Sequence, residues 1–327
     1  MFDFKSKKTM KKSLVSVIML FIFLPFFVFS SHSGDIYVNA KASGTQNGSK
    51  SHPFRTINQA LEKADSGDKI HVAQGEYEEN ITLKKNIKLY GEDKNNTIIK
   101  AKKDKWSTVF VENDSKIDNF TIKGGENGIW VERKAEFSVS NCILKSNNQD
   151  GIAIEGDEKA KDSRKVSISK TEIKYNGISG IYVQRPRRVI VTDSEIRDNA
   201  KNGISLSAGT SAWLEGNLIK NNGASGLKID IGGVDIWSKK NSFRQNAQSG
   251  IEISYFGGDG KVNVSKSKFV ANGSYAISRI QRNILSARFS AWKNNLIVEE
   301  NNKFLESQKG EISDILNKLP RSKLTKY

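Results

Sequence analysis

Lys228, Asp230 and Glu252 are the group in this 327-residue chain that comes nearest to a reacting constellation. A lysine beside carboxylates can take a proton when burial or neighbouring positive charge lowers its pKa. The same residues in solvent make an ordinary ion-pair cluster. Arg185, Arg187 and Arg188 share one short run with Pro186. Their planar forks can grip a carboxylate or sulfate bidentately, or simply face water in a turn. Trp130 and Tyr182 offer flat apolar surface for a sugar ring, or ordinary packing against neighbours. Lys228 and Arg187 are the candidate bases if there is catalysis. The three histidines, His32, His52 and His71, lie outside the repeats described below, so a histidine triad or zinc site is not expected.

The elements that position these residues come from an internal repeat. A Gly-Ile unit recurs at Gly128, Gly151, Gly180, Gly203, Gly226 (with Leu227) and Gly250, and a variant stands at Ala276-Ile277. Four residues before the glycines from Gly151 to Gly250 stand Asn147, Asn176, Asn199, Asn222 and Asn246, with Asn272 before Ala276; the coil at Gly128 fits less well, with Gly124 in this column. Seven before stand Leu144, Ile173, Ile196, Ile219, Phe243 and Phe269. Nine before stand Cys142, Thr171, Ser194, Asn217, Asn241 and Ser267, which makes the only cysteine a small interior residue. Fourteen before stand Phe137, Val166, Val189, Ala212, Ile236 and Val262. The apolar runs alternate and are short, so they predict strands that bury a face only by stacking coil on coil. Asparagines in a file can hydrogen-bond as a ladder in turns that need a left-handed residue. Residues two and four after the glycine are expected to face outward. That rule gives rows Trp130–Ala153–Tyr182–Ser205–Lys228–Glu252 and Glu132–Glu155–Gln184–Ser207–Asp230–Ser254. The polar run from Asp157 to Lys165 reads as an inserted loop.

Before the repeats, Phe54 to Ala64 has helical spacing, and a helix over about 54–65 would cover the open end of the stack. Residues 301–327 read as a tail or a short helix around Glu311–Leu319. At the start, five lysines precede an apolar stretch from Leu14 to Phe29, followed by small residues. This is the pattern of a secretory signal over residues 1–30, with membrane anchoring as the alternative if it stays uncleaved. Formal net charge is +16; residues 1–30 hold five lysines and one aspartate, leaving +12 for the remainder. A chain this basic outside the cell has reason to meet polyanions, and no nucleic-acid motif is present.

The stretch SHPFRTINQALEKADSGDKIHVAQGEYEENITLKKNIKLYG, from Ser51 to Gly91, resembles the N-terminal cap of extracellular parallel β-helix proteins such as pectate lyases and pectin methylesterases. The later units resemble the repeat of the same superfamily, over about residues 35–300. The resemblance implies an all-β, single-stranded right-handed parallel β-helix over 31–300 with an N-terminal capping helix. It carries little about activity. The esterase motifs are missing. The lyase pattern would need calcium held by carboxylates on adjacent coils, or another cation, and a lysine or arginine base.

The expectation is therefore an exported or surface-bound monomer that binds acidic polysaccharide or another surface glycan. Its binding residues would be Trp130, Tyr182, Arg185, Arg187, Arg188, Lys228, Asp230 and Glu252. No cofactor or metal is expected; calcium enters only under the rival reading, a polysaccharide lyase acting by β-elimination on a polyuronate. A structural or adhesion role without catalysis is the third reading.

Overall fold

The computed structural model describes residues 33–84, 86–157, 164–233, 235–255, 260–281 and 295–316. The expected signal segment and most of the Asp157–Lys165 loop lie outside the described residues. Among the described residues, no helix is long and apolar enough to cross a membrane.

Each full coil supplies one strand to each of three parallel sheets, of 11, 10 and 10 strands among the described residues. In one coil Arg188–Thr192 lies in the first sheet, Glu195–Arg197 in the second and Ile204–Leu206 in the third. Equivalent strands of successive coils pair in register: Ile173 opposite Ile196, and Ile196 opposite Ile219. The solenoid is thus a parallel β-helix. Its core is a set of aliphatic files, with Val189, Val191, Ile196 and Ile204 all fully buried. Toward the C-terminal end the file turns aromatic, and Phe243, Phe269 and Phe304 stack at 5.1 and 5.2 Å.

The asparagine column is a buried ladder. Asn176 Nδ2 donates to Asn199 Oδ1 at 2.9 Å, Asn199 to Asn222 at 3.0 Å, and Asn222 to Asn246 at 3.0 Å. The same carbonyls accept backbone N–H groups, as Asn222 Oδ1 does from Asn199 N at 3.2 Å. A second ladder at the other corner includes Asn217 Nδ2 donating to Asn241 Oδ1 at 3.0 Å. The left-handed residue of the turn is not the ladder asparagine, as expected, but its predecessor: Tyr175, Asp198, Asn221 and Gln245 have φ of 50–57°. The ladder residue needs an inward side chain, so the tight bend falls one position earlier. The repeated glycine is required by close approach: a Cβ on Gly203 would stand 2.6 Å from the Gly226 carbonyl oxygen.

The described helix is shorter than expected, Ile57–Lys63, with a Thr56/Gln59 capping box and Ile57, Ala60 and Leu61 buried. Its first N–H groups, at Ile57 and Asn58, donate to the Glu79 carboxylate at 2.8 and 2.9 Å. Of the two C-terminal expectations, a tail or a short helix, the helix is corrected. Gly310–Leu316 is a strand paired with Tyr275–Gln281, with one register shift, and not a helix. Seven residues gain less from helical spacing than from the unpaired edge of the preceding strand.

Candidate functional site

The first expected row is real. Thr82, Phe110, Trp130, Ala153, Tyr182, Ser205, Lys228, Glu252 and Ser278 stand opposite one another in sequence across nine strands of the third sheet. Trp130 and Tyr182 are half-buried. Lys228 Nζ lies 4.0 Å from Asp230 Oδ1, and each side chain is 22% exposed. Near Phe110 a hollow of about 820 Å³ is walled by Lys103 and Trp106. Trp106 is 66% exposed, with Lys103 Nζ 5.7 Å from its ring centre.

Two expected positions are corrected. Glu252 is not a solvent-facing group: it is 5% exposed and accepts a hydrogen bond from Ser225 Oγ at 2.7 Å. The alternation rule gives the face of the sheet but not what lies over it. Arg187 is buried at 3% exposure, and its guanidinium donates to the carbonyl oxygens of Arg133 and Ala135. It braces the corner between third and first sheets instead of facing a ligand. Arg185 remains exposed, and exposed Arg188 opens a first-sheet strand opposite Lys165 and Ser211. The three arginines therefore do not act as one cluster.

A more continuous site lies at the corner between the second and third sheets. Lys100, Lys123, Lys145, Lys174, Arg197, Lys220 and Arg244 stand opposite one another on seven successive strands of the second sheet. Strand spacing of about 4.8 Å sets the rise of this basic row. Beside it runs a groove of about 870 Å³ that includes Tyr175, Asp198, Asn221, Gln245, Ala271 and Glu306. Small residues at Gly177, Ala200, Gly223 and Ala247 keep it open.

Carboxylates hold much of the row in place. Glu172 meets Lys174 at 2.8 Å and also Arg197. Glu195 meets Arg197 at 3.1 Å and Lys220 at 3.0 Å, and Glu76 meets Lys123 at 3.0 Å. Burial alone would raise the Glu172 pKa, but Lys174 and Arg197 outweigh it and hold the carboxyl below its ordinary value. Burial likewise opposes the Arg197 charge, yet Tyr175, Asp198 and Glu172 win and fix it as a cation. Tyr175, 54% exposed, lies with its ring centre 5.4 Å from the Arg197 guanidinium carbon, and its hydroxyl accepts from Arg197 Nη1 at 3.1 Å. Lys145 has no carboxylate partner among the described residues, and Arg244 Nε is held only by Ser242 Oγ at 2.8 Å. The groove thus offers an aromatic ring, amides and oriented cations along several coils, which suits an extended anionic chain.

This row was missed in the sequence although from Lys145 to Arg244 it sits at a fixed place, six residues before the glycines from Gly151 to Gly250; Lys123 stands five before Gly128. The groove's small residues sit three before the repeated glycine.

Residues 107–258 and 158–302, two overlapping stretches, match the family described as right handed beta helix region. Residues 40–98 match a family described as a protein of unknown function. No curated protein matches the chain. Among solved structures, an alginate lyase from Paenibacillus sp. is 13% identical over 86% of this chain and 99% of its own, with a TM-score of 0.61. The A-module of a mannuronan C-5 epimerase from Azotobacter vinelandii is 16% identical over 88% of this chain and 100% of its own, with a TM-score of 0.51. A pectate lyase is 13% identical over 87% and 78%, with a TM-score of 0.50. At such identities the likeness is one of fold.

Proposed function

The chain belongs to the right-handed parallel β-helix proteins of the pectate-lyase-like superfamily, and on that premise we propose that it is an exported glycan-binding protein that holds an acidic polysaccharide along the second-sheet groove. The observation that carries this reading is the basic row, one cation per coil over seven coils, whose last four, Lys174 to Arg244, lie beside a groove open to an extended chain. The ion pairs to Glu172, Glu195 and Asp198 answer the charges of Lys174, Arg197 and Lys220 and restrict the rotamers of these long side chains before a ligand arrives; Lys145 and Arg244, which meet no carboxylate among the described residues, keep their charge for it. Trp130, Tyr182 and Lys228 extend the glycan surface onto the third sheet. The helix Ile57–Lys63 serves as the cover of the N-terminal coil, and residues 1–30 direct export.

Electrophoresis through gels containing polygalacturonate, alginate or a neutral glucan tests the reading. Retardation in the acidic gels alone, relieved by salt, is the expected result. Equal mobility in all three gels refutes it.

A lyase reading draws on one specific feature, the half-buried Lys228–Asp230 pair next to buried Glu252. Under it, Lys228 would take the proton next to a uronate carboxylate. Unsaturated uronate product that disappears in Lys228→Ala would establish it; no product from any polyuronate removes it.

A further inference from the structure

A second basic surface lies on the first sheet, near the N-terminal end, and differs from the groove in having no ion pair on its lysines among the described residues, although Asp35 stands opposite Lys69 at the start of the file. Lys69, Lys88 and Lys116 stand opposite one another on three successive strands. None has an ion-pair partner among the described residues. Their neighbouring outward row is Tyr37, His71 and Tyr90, also in register. The Tyr37 and His71 ring centres are 5.1 Å apart and those of His71 and Tyr90 5.8 Å, with interplanar angles of 21° and 20°. Lys116 Nζ closes the stack 5.3 Å from the Tyr90 ring centre.

The rings are piled along the solenoid axis, so their edges and polar atoms point outward. Neither phenol oxygen has a hydrogen-bond partner among the described residues. His71 is oriented by Asp35, whose Oδ1 lies 2.8 Å from Nε2. That hydrogen bond, with smaller help from the charges of His71 and Lys69, holds the Asp35 carboxyl below its ordinary pKa. The other carboxylates of this surface are also engaged. Glu92 accepts from Gln74 N at 3.0 Å, and Asp118 accepts from Ser140 Oγ at 2.6 Å and Asn141 Nδ2 at 3.1 Å. A hollow of about 350 Å³ lies over the row, lined by Tyr37, Asn39, Lys50, His71, Tyr90 and Glu92.

We propose that this surface is a second, independent binding site for an acidic glycan strand, lying parallel to the solenoid axis. Lys69, Lys88 and Lys116 would meet carboxylates carried by successive sugars, and the phenols of Tyr37 and Tyr90 would meet ring hydroxyls. The three amines stand in file without an ion pair among the described residues, Lys116 alone meeting a ring; like charges one coil apart repel, and an anion that follows the file relieves that repulsion. The phenols of Tyr37 and Tyr90 and the Asn39 amide, set among apolar Val38, Pro53 and Val72 and beside the Glu92 carboxylate, favour a polyhydroxylated chain over a bare phosphate polymer. With two sites on separate sheets, one molecule can bridge two glycan strands.

The test is lysine labelling of the full chain by an amine-acetylating reagent, read residue by residue by mass spectrometry, with polygalacturonate, inorganic polyphosphate or a neutral galactan added. The expected result is several-fold slower labelling of Lys69, Lys88 and Lys116 with polygalacturonate and no change with galactan. Unchanged labelling of the three with polygalacturonate overturns the proposal, as does protection by polyphosphate alone. The groove reading is separated by its own lysines. If Lys145 and Lys220 stay reactive while the first-sheet three are protected, the second site stands and the groove reading falls. A triple variant, Lys69→Gln/Lys88→Gln/Lys116→Gln, gives a second readout: the number of strands bound per molecule drops from two to one. No drop in that number also overturns the proposal.

Discussion

Two files of basic side chains climb this solenoid, and they are built in opposite ways. The second-sheet row is laced to Glu76, Glu172 and Glu195. The first-sheet row of Lys69, Lys88 and Lys116 has stacked rings beside it and no acid within ion-pair distance among the described residues. Both rows hang from the same register. What differs is whether the charge is already answered within the fold. An answered row contributes to stability and is pre-ordered; an unanswered one contributes nothing to stability and keeps its full field for a ligand. Removing charge from the first should cost stability as well as binding, and from the second binding alone.

Four experiments sharpen or break that contrast. The largest effect belongs to the frame the rows share. Asn222→Ala takes the acceptor from Asn199 N and Nδ2 and the donor from Asn246 Oδ1, all buried. Asn199 Nδ2 keeps Ile173 O and Asn246 Oδ1 keeps Asn222 N, so the loss falls on Asn199 N and on the side-chain bonds of Asn222 itself. The substitution should cost about 2–3 kcal/mol in denaturant unfolding, since a buried polar group left unpaired costs about 1–3 kcal/mol. A cost under about 1 kcal/mol would show that the turn relaxes without its ladder.

Next come two carboxylates with opposite surroundings. Asp150 is 4% exposed, and burial pushes its carboxyl up to about 6, against smaller opposing effects of the Ser179 N–H and Lys201. Its ionised form is disfavoured in the fold, so stability falls as pH rises from about 3.8 through about 6. Asp150→Asn should therefore stabilise the protein at pH 7 by about 2 kcal/mol and have little effect near pH 3. Glu172, between Lys174 and Arg197, shifts the other way. Its contribution is present above the ordinary glutamate range and is lost as pH falls through its depressed pKa. Glu172→Gln should cost about 1–2 kcal/mol at pH 7 and less in acid. Thermal unfolding of both variants across pH 3–8 checks the two signs together; parallel curves would break the argument.

The smallest effect is the most telling for the contrast. The first-sheet triple Lys→Gln variant should unfold within about 0.5 kcal/mol of the parent in the same denaturant titration. A loss comparable to that of Glu172→Gln would mean that the unpartnered row is structural after all.

Much of the fold was readable because stacking forces one residue type into the same place in every coil. Asn176, Asn199 and Asn222 repeat for that reason, as do Gly180, Gly203 and Gly226, where a Cβ would strike the next coil's backbone. The outward row from Trp130 to Lys228 was readable by alternation alone. The second-sheet cations Lys145, Lys174, Arg197, Lys220 and Arg244 obey the same period, and reading every column, charged ones included, would have found them. The Tyr37–His71–Tyr90 stack was out of reach: its members are 34 and 19 residues apart, before the regular period sets in. Arg187 and Glu252 failed for a third reason. Position in a repeat fixes a side chain's direction, but burial there depends on the corner and on neighbouring segments, whose lengths vary from coil to coil.

Amide hydrogen exchange of the full chain, with and without polygalacturonate at low salt, tests the central claim most directly. The account predicts added protection at the second-sheet corner around Tyr175–Gln245 and in the first-sheet strands Lys69–Val72 and Ile87–Gly91, and loss of both at high salt. Protection confined to the third-sheet strands around Lys228, or absent everywhere, would contradict it.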